Sequence, residues 1–270
     1  MIIRIRWTTV FVTAIVVLLL YGCISTFVAP DPEVRRLLAP TGKLRVGVYP
    51  GSPISMIQDP ASKETKGVTF DLGKELARRL DVPFEPVVFP RLADVIQALR
   101  ASQVDFIVTN ATADRAKDID FTPPLLQTEQ GYLVLTGSPV LKLADVDQPG
   151  IRVGVLQGST SQGTLPHHLK NAAIVSAPTL KSAIEMLSQR KIDTFATNKA
   201  ILFELSDDLP GSRVLDGRYG LEQIAVGIPK GRDHGMVYVR SFAEEIKSGG
   251  LVQRAVDKAG LRGTVDTRTR

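Results

Sequence analysis

The chain has 270 residues, 44% hydrophobic and 23% charged, a balance that excludes a disordered or fibrous protein and leaves room for two modest domains. Its formal charge of +5 is spread along the chain, and no Lys/Arg block interleaves with aromatic residues, so nothing points to a nucleic-acid partner. The single cysteine excludes an internal disulfide.

The N-terminus reads as an export signal. Residues 1–6 are short and basic, an apolar run from Trp7 to Tyr21 is broken only by Thr8, Thr9 and Thr13, and Leu20-Tyr21-Gly22-Cys23 follows. That step resembles a bacterial lipobox, although Tyr21 is bulky for its place. It implies removal of residues 1–22, lipidation of Cys23 and a lipid anchor outside the cytoplasmic membrane. An uncleaved anchor is the alternative, since the run is only slightly short of a membrane span. Residues 23–40 carry Pro30, Pro32 and Pro40 and read as a tether.

Folded sequence is expected from about Leu44. A strand over 44–48 ends at a Gly-Ser turn. A helix over 71–80 places Leu72, Leu76 and Leu80 on one face, with Asp71 as its N-cap. A strand over 84–89 precedes a helix over 92–99, where Leu92, Val95, Ile96 and Leu99 share a face. A strand over 105–108 closes the unit. Downstream come a strand over 151–155, a helix opening near Ser161, a strand over 173–176, a helix over 180–188 and a strand over 193–197. Extended stretches over 131–135 and 223–228 read as two crossover strands. Helices over 236–247 and 251–259 then return to the first unit.

The two units repeat each other. Leu44-Arg-Val-Gly-Val-Tyr-Pro-Gly-Ser52 matches Ile151-Arg-Val-Gly-Val-Leu-Gln-Gly-Ser159 at six of nine positions. Val104-Asp-Phe-Ile-Val-Thr-Asn110 resembles Ile192-Asp-Thr-Phe-Ala-Thr-Asn198. Ile96 and Leu99 precede Asp105 by the same intervals as Ile184 and Leu187 precede Asp193. Two pairs in one order imply two α/β lobes of similar topology: lobe I over 41–133 plus 225–264, lobe II over 134–224. In parallel sheets, ligands lie beyond the carboxyl ends of strands. Both Gly-Ser turns and both Thr-Asn pairs fall there and are expected to share one cleft. Asp105 and Asp193, ahead of buried strands, read as structural.

This organisation resembles the bacterial family 3 solute-binding proteins, receptors of polar amino-acid ABC transporters. The resemblance covers about 43–260. Its most specific piece is Thr109-Asn-Ala-Thr-Ala-Asp-Arg-Ala-Lys-Asp-Ile-Asp-Phe-Thr-Pro-Pro124, with support from Gly67 to Leu72 and from Gly154-Val-Leu-Gln-Gly-Ser-Thr160. The resemblance implies a type II periplasmic-binding fold with a two-strand hinge, and a monomer that closes on a ligand and docks on a membrane permease. It implies that Arg115 pairs with a ligand carboxylate, a geometry suited to a planar guanidinium. Asn110 and Thr160 match positions whose backbone N–H groups hold the same carboxylate, with Ser159 beside them at a helix start. Leu92 matches an apolar wall position.

Two departures bear on the ligand. Where amino-acid binders hold the ligand's ammonium with Asp, this chain has Asn198, which points to an organic acid or a derivative without a free ammonium. The aromatic expected after the first strand is replaced by Ser52, and Tyr49 is the substitute. No cofactor or metal is indicated. Gly158–Gly163 has the glycine spacing of a phosphate loop but lacks the following Lys, and His167 and His168 are adjacent and without an acidic ligand nearby. The expectation is a receptor and no enzyme. The alternatives are a cyclohexadienyl-dehydratase-like enzyme on the same scaffold, which needs a proton donor in the cleft, and a sensor serving a signalling partner.

Overall fold

The computed structural model describes residues 31–59 and 61–265. The export signal, Cys23 and the first part of the expected tether lie outside the described residues. The folded body starts earlier than expected, with helix α1 (Pro32–Leu38) inside the stretch read as tether. Asp31 accepts a hydrogen bond from the Glu33 N–H, and Pro32 opens the helix. A proline that reads as a linker is also well suited to a first helical position, where its missing N–H costs nothing. Leu38 is buried in the core of the first lobe.

Lobe I follows the expected order. It runs β1 (Leu44–Val48), the short pair β2 (Ile57–Gln58) and β3 (Thr65–Lys66), α2 (Val68–Leu80), β4 (Phe84–Val88), α3 (Leu92–Arg100), β5 (Ile107–Asn110) and β6 (Ile119–Phe121). Strand β1 pairs in parallel with β4 and is bridged, Val46 to Phe106, to the residue that leads into β5. Helix α2 starts a turn sooner than expected. Gly67 is its N-cap, and Asp71 sits in the first turn with its carboxylate accepting the Gly67 N–H at 3.3 Å. Leu72, Leu76 and Leu80 are all fully buried, on the order of 2 kcal/mol each in removed apolar surface.

The chain then crosses on β7 (Leu126–Leu135) into lobe II: β8 (Arg152–Leu156), α4 (Thr160–His168), β9 (Ala173–Ala177), α5 (Leu180–Ser188), β10 (Thr194–Asn198), α6 (Lys199–Asp208) and β11 (Ser212–Val214). It returns on β12 (Gly220–Pro229) to α7 (Asp233–Ser248), α8 (Leu251–Lys258) and β13 (Thr264–Val265). Helices α7 and α8 bury Val239, Phe242, Ile246, Val252 and Val256 in the same core as Leu44, Leu72 and Phe106.

The repeat is visible in the strand order. Strands β4, β1 and β5 lie parallel and are followed by antiparallel β12; β9, β8 and β10 lie parallel and are followed by antiparallel β7. The crossing strands are longer than expected because their polar halves pair with each other, Gln130 opposite Gly220 through Leu126 opposite Ile224. Their apolar halves join separate lobes: β12 pairs with β5, and β7 with β10.

Each lobe carries the same Arg–Asp clamp. In lobe II the Asp193 carboxylate accepts the Arg152 backbone N–H and two guanidinium N–H groups at 2.8–2.9 Å. Those bonds hold its carboxyl below the usual carboxylate range, against the upward push of burial. In lobe I Asp105 does the same for Arg45 and takes a further bond from Arg232 at 2.9 Å, with its own side chain wholly buried. Both clamps fix the first strand of a lobe to the strand that ends at the cleft.

Candidate binding cleft

Strands β5 and β10 end at Asn110 and Asn198, and helix α4 begins at Thr160, so three carboxyl-side strand ends converge between the lobes. Tyr49, Leu92, Asn110, Arg115, Ser159, Thr160 and Asn198 all line one pocket there, together with Thr109, Thr197 and Glu222. The seven residues singled out from sequence are thus brought together.

Arg115 opens a short 3₁₀ turn (Arg115–Lys117) after β5 and is 6% exposed. One guanidinium nitrogen donates to the Thr109 hydroxyl at 2.8 Å and the Asn110 carbonyl at 2.9 Å, and the other donates across the cleft to the Gly158 carbonyl at 2.9 Å. Burial pulls its pKa below the ordinary arginine value, with Glu222 and Tyr49 opposing; an arginine keeps its charge regardless. Among the described residues no carboxylate touches it, so its charge is held by neutral dipoles at the seam between the lobes.

A second cross-cleft bond runs from the Asn110 amide to the Thr160 hydroxyl at 2.9 Å, while the Asn110 side-chain oxygen accepts the Gln223 N–H of β12. At the start of α4 the Ser159 hydroxyl accepts the Gln162 N–H and the Gln162 side chain accepts the Gly158 N–H. The first N–H groups of the helix, including that of Thr160, have no intrahelical acceptor and form the positive end of the helix dipole. Gly158 has φ +76°, and an added Cβ would lie 2.9 Å from the Ala93 backbone across the cleft. The enclosed part of the pocket has a cavity volume of about 30 Å³, roughly one water molecule, so anything larger has to part these bonds. The outer cleft, between α3 and α4, widens to about 650 Å³.

Asn198 caps α6, its side-chain oxygen accepting the Ile201 N–H at 3.1 Å, and its amide donates to a Glu222 carboxylate oxygen at 3.2 Å. The neutral residue in lobe II therefore does not leave the cleft without an acid. Glu222, on β12, is 6% exposed, and its other oxygen accepts from the Gln130 amide at 3.3 Å. Burial pushes its carboxyl above the usual range, opposed by Arg115, Asn198, Thr160 and Gln130. Tyr49 stands close enough for Glu222 and Arg115 to act on its phenol, which burial pushes up to about 12.

Glu222 lies one residue ahead of the strand expected over 223–228 and is not among the residues singled out from sequence. The signal was present. Glu222 is in phase with buried Ile224 and Val226 on an alternating strand, which puts a carboxylate on a buried face.

The family described as bacterial extracellular solute-binding proteins, family 3, matches the chain over residues 44–260. The ABC transporter glutamine-binding protein GlnH of Bacillus subtilis is 22% identical over 212 residues, covering 77% of each chain. Among solved structures, an amino acid ABC transporter substrate-binding protein of Streptococcus pneumoniae bound to L-arginine superposes with a TM-score of 0.73 at 20% identity, over 82% of this chain and 96% of that one. An ancestral amino acid-binding protein, a precursor of cyclohexadienyl dehydratase, gives 0.71 at 23% identity over 83% and 98%. The fold is the expected type II periplasmic-binding fold.

Proposed function

Since the chain belongs to the bacterial extracellular solute-binding proteins, family 3, we propose that it captures a small carboxylate-bearing solute between its lobes and hands it to an ABC permease. The observation that carries this reading is Arg115. A buried guanidinium, oriented by Thr109 and the Asn110 carbonyl and facing a helix start, presents forked donors to an anion at the seam of two lobes. In this reading a carboxylate replaces the Gly158 carbonyl on Arg115 and the Asn110 bond on Thr160, and contact with both lobes shifts the equilibrium toward closure. Lipidation of Cys23 would keep the receptor beside its permease on the outer face of the membrane.

The test is calorimetry with a panel of amino acids and non-amino carboxylates, preceded by mass spectrometry of any co-purified solute. Arg115→Ala should weaken the best ligand by about 2–5 kcal/mol, as for loss of a buried charge partner. Unchanged affinity in this variant would place the carboxylate elsewhere. The enzymatic reading gains one observation, since Glu222 is a buried carboxyl able to hold a proton in the cleft. Conversion of a panel compound, followed by mass spectrometry, would favour it.

A further inference from the structure

The cleft contains one buried cation and one buried acid, on different elements and committed to different partners. Arg115 gives its N–H groups to a hydroxyl and two carbonyls. Glu222 accepts only from amides and a hydroxyl, those of Asn198, Gln130 and Thr160. Among the described residues no lysine, arginine or histidine forms an ion pair with it. The nearby basic side chain, Lys199, is tied to Glu129 at 2.7 Å. A carboxyl that is nine-tenths buried with only neutral hydrogen-bond donors is costly to ionise; Arg115 and those donors offset part of the cost, and a cation arriving at close range would offset more. Its position supplies the opportunity, since Glu222 lines the same pocket as Arg115.

Resting on the carboxylate reading of Arg115, we propose that Glu222, carried on a hinge strand, takes a protonated nitrogen of the ligand, so the solute is a zwitterion held by Arg115 at one end and Glu222 at the other. Asn198 is then a positioning residue. Its oxygen is spent on capping α6, and its amide orients the Glu222 carboxylate. The acid is displaced from the end of β10 to β12, the crossing strand beyond β7, and the expectation of a ligand without an ammonium, drawn from Asn198 alone, is reversed. A proton balance follows. Where Glu222 is protonated before binding, its O–H proton leaves to solvent as the ligand's ammonium arrives. The charged and titratable groups facing Glu222 are Arg115, Tyr49 and Tyr219. Arginine and the two raised phenols keep their protons below about pH 9, so the proton released on binding is assigned to Glu222.

The experiment uses the mature chain and two matched probe sets, the standard L-amino acids and their desamino counterparts, titrated into wild type, Glu222→Gln, Glu222→Asp and Arg115→Ala. The expected result is an amino acid that binds wild type at least about 30-fold more tightly than its desamino partner and loses that margin in Glu222→Gln. Glu222→Asp, which keeps the charge on a shorter stem, should recover part of it. Repeating the titration in two buffers of different ionisation heat should show proton release in wild type and none in Glu222→Gln. Desamino acids binding wild type as tightly as their parents, or an unchanged amino-acid affinity in a folded Glu222→Gln, overturns the proposal and leaves the carboxylate reading standing. An Arg115→Ala variant that retains full affinity overturns the carboxylate reading instead. If no member of either set binds wild type, both are overturned.

Discussion

The duplicated Arg–Asp clamp offers a controlled measurement of what burial does to an ion pair. Asp105→Asn keeps the side-chain volume but removes the charge and turns one acceptor into a donor. In lobe I that group faces Arg45 and Arg232, whose side chains are 18% and 12% exposed, and Asp105 itself is wholly buried. Two guanidinium groups lose their shared counter-charge where water cannot replace it, a loss of about 3–5 kcal/mol. In lobe II the same change at Asp193 leaves only Arg152, which is 41% exposed and can turn to water. That loss should be about 1 kcal/mol, the upper part of the range for surface pairs. Urea unfolding followed by both fluorescence and far-UV circular dichroism measures the difference, the two probes checking that each variant unfolds in one step. The two variants should differ by at least about 2 kcal/mol. Arg232→Met should lower stability only while Asp105 is present. Equal losses at Asp105 and Asp193 would refute the reasoning, because the two sites share hydrogen-bond geometry and differ in burial and in the second arginine.

Two further outcomes follow from the cleft. Gly158→Ala places a Cβ against the Ala93 backbone and should hold the lobes apart, raising the small-angle X-ray radius of gyration and lowering ligand affinity about tenfold or more. Gly150→Ala, at φ +88° with nothing within 4 Å, carries the same backbone strain of about 1 kcal/mol and should leave affinity unchanged. Without ligand, Glu222→Gln should stabilise the protein at neutral pH. Burial raises the Glu222 carboxyl in the folded state, so above about pH 4.5 the native chain binds more protons than the unfolded one, and its stability falls as pH rises through that window. Melting curves of the two proteins should therefore converge in acid and separate towards neutrality, and parallel curves would contradict this account of Glu222.

Much of the cleft was legible because duplication prints its geometry twice. The paired Leu44 and Ile151 segments located two first strands, and the paired Asn110 and Asn198 located the strand ends that meet. What escaped notice had a physical cause in each case. Helix α1 hid behind prolines that read as linker, although Pro32 stands where a helix tolerates one. Asp71 has the chemistry of a cap, but its carboxylate reaches back to the Gly67 N–H from inside the first turn of α2. The polar halves of β7 and β12 resemble loop, since Gln127, Thr128, Glu129 and Gln130 carry no hydrophobic alternation. They are strands because each satisfies the other's backbone. Glu222 was lost with that segment.

That mutual pairing has a mechanical consequence. The ladder between β7 and β12 is shared by the two lobes: β13 pairs with the same stretch of β7 at Thr128 and Gln127, and further along β12 joins β5 while β7 joins β10. Swinging the lobes apart flexes this shared ribbon, as a leaf spring bends under load. At the cleft the polar resistance to opening comes from one neutral hydrogen bond from Asn110 and one charged bond from Arg115, together about 2–4 kcal/mol, beside the packing of Tyr49 and Leu92 against the lobe II core. Glu222 sits on the spring itself, so a group bound there would stiffen the joint as well as bridge the gap.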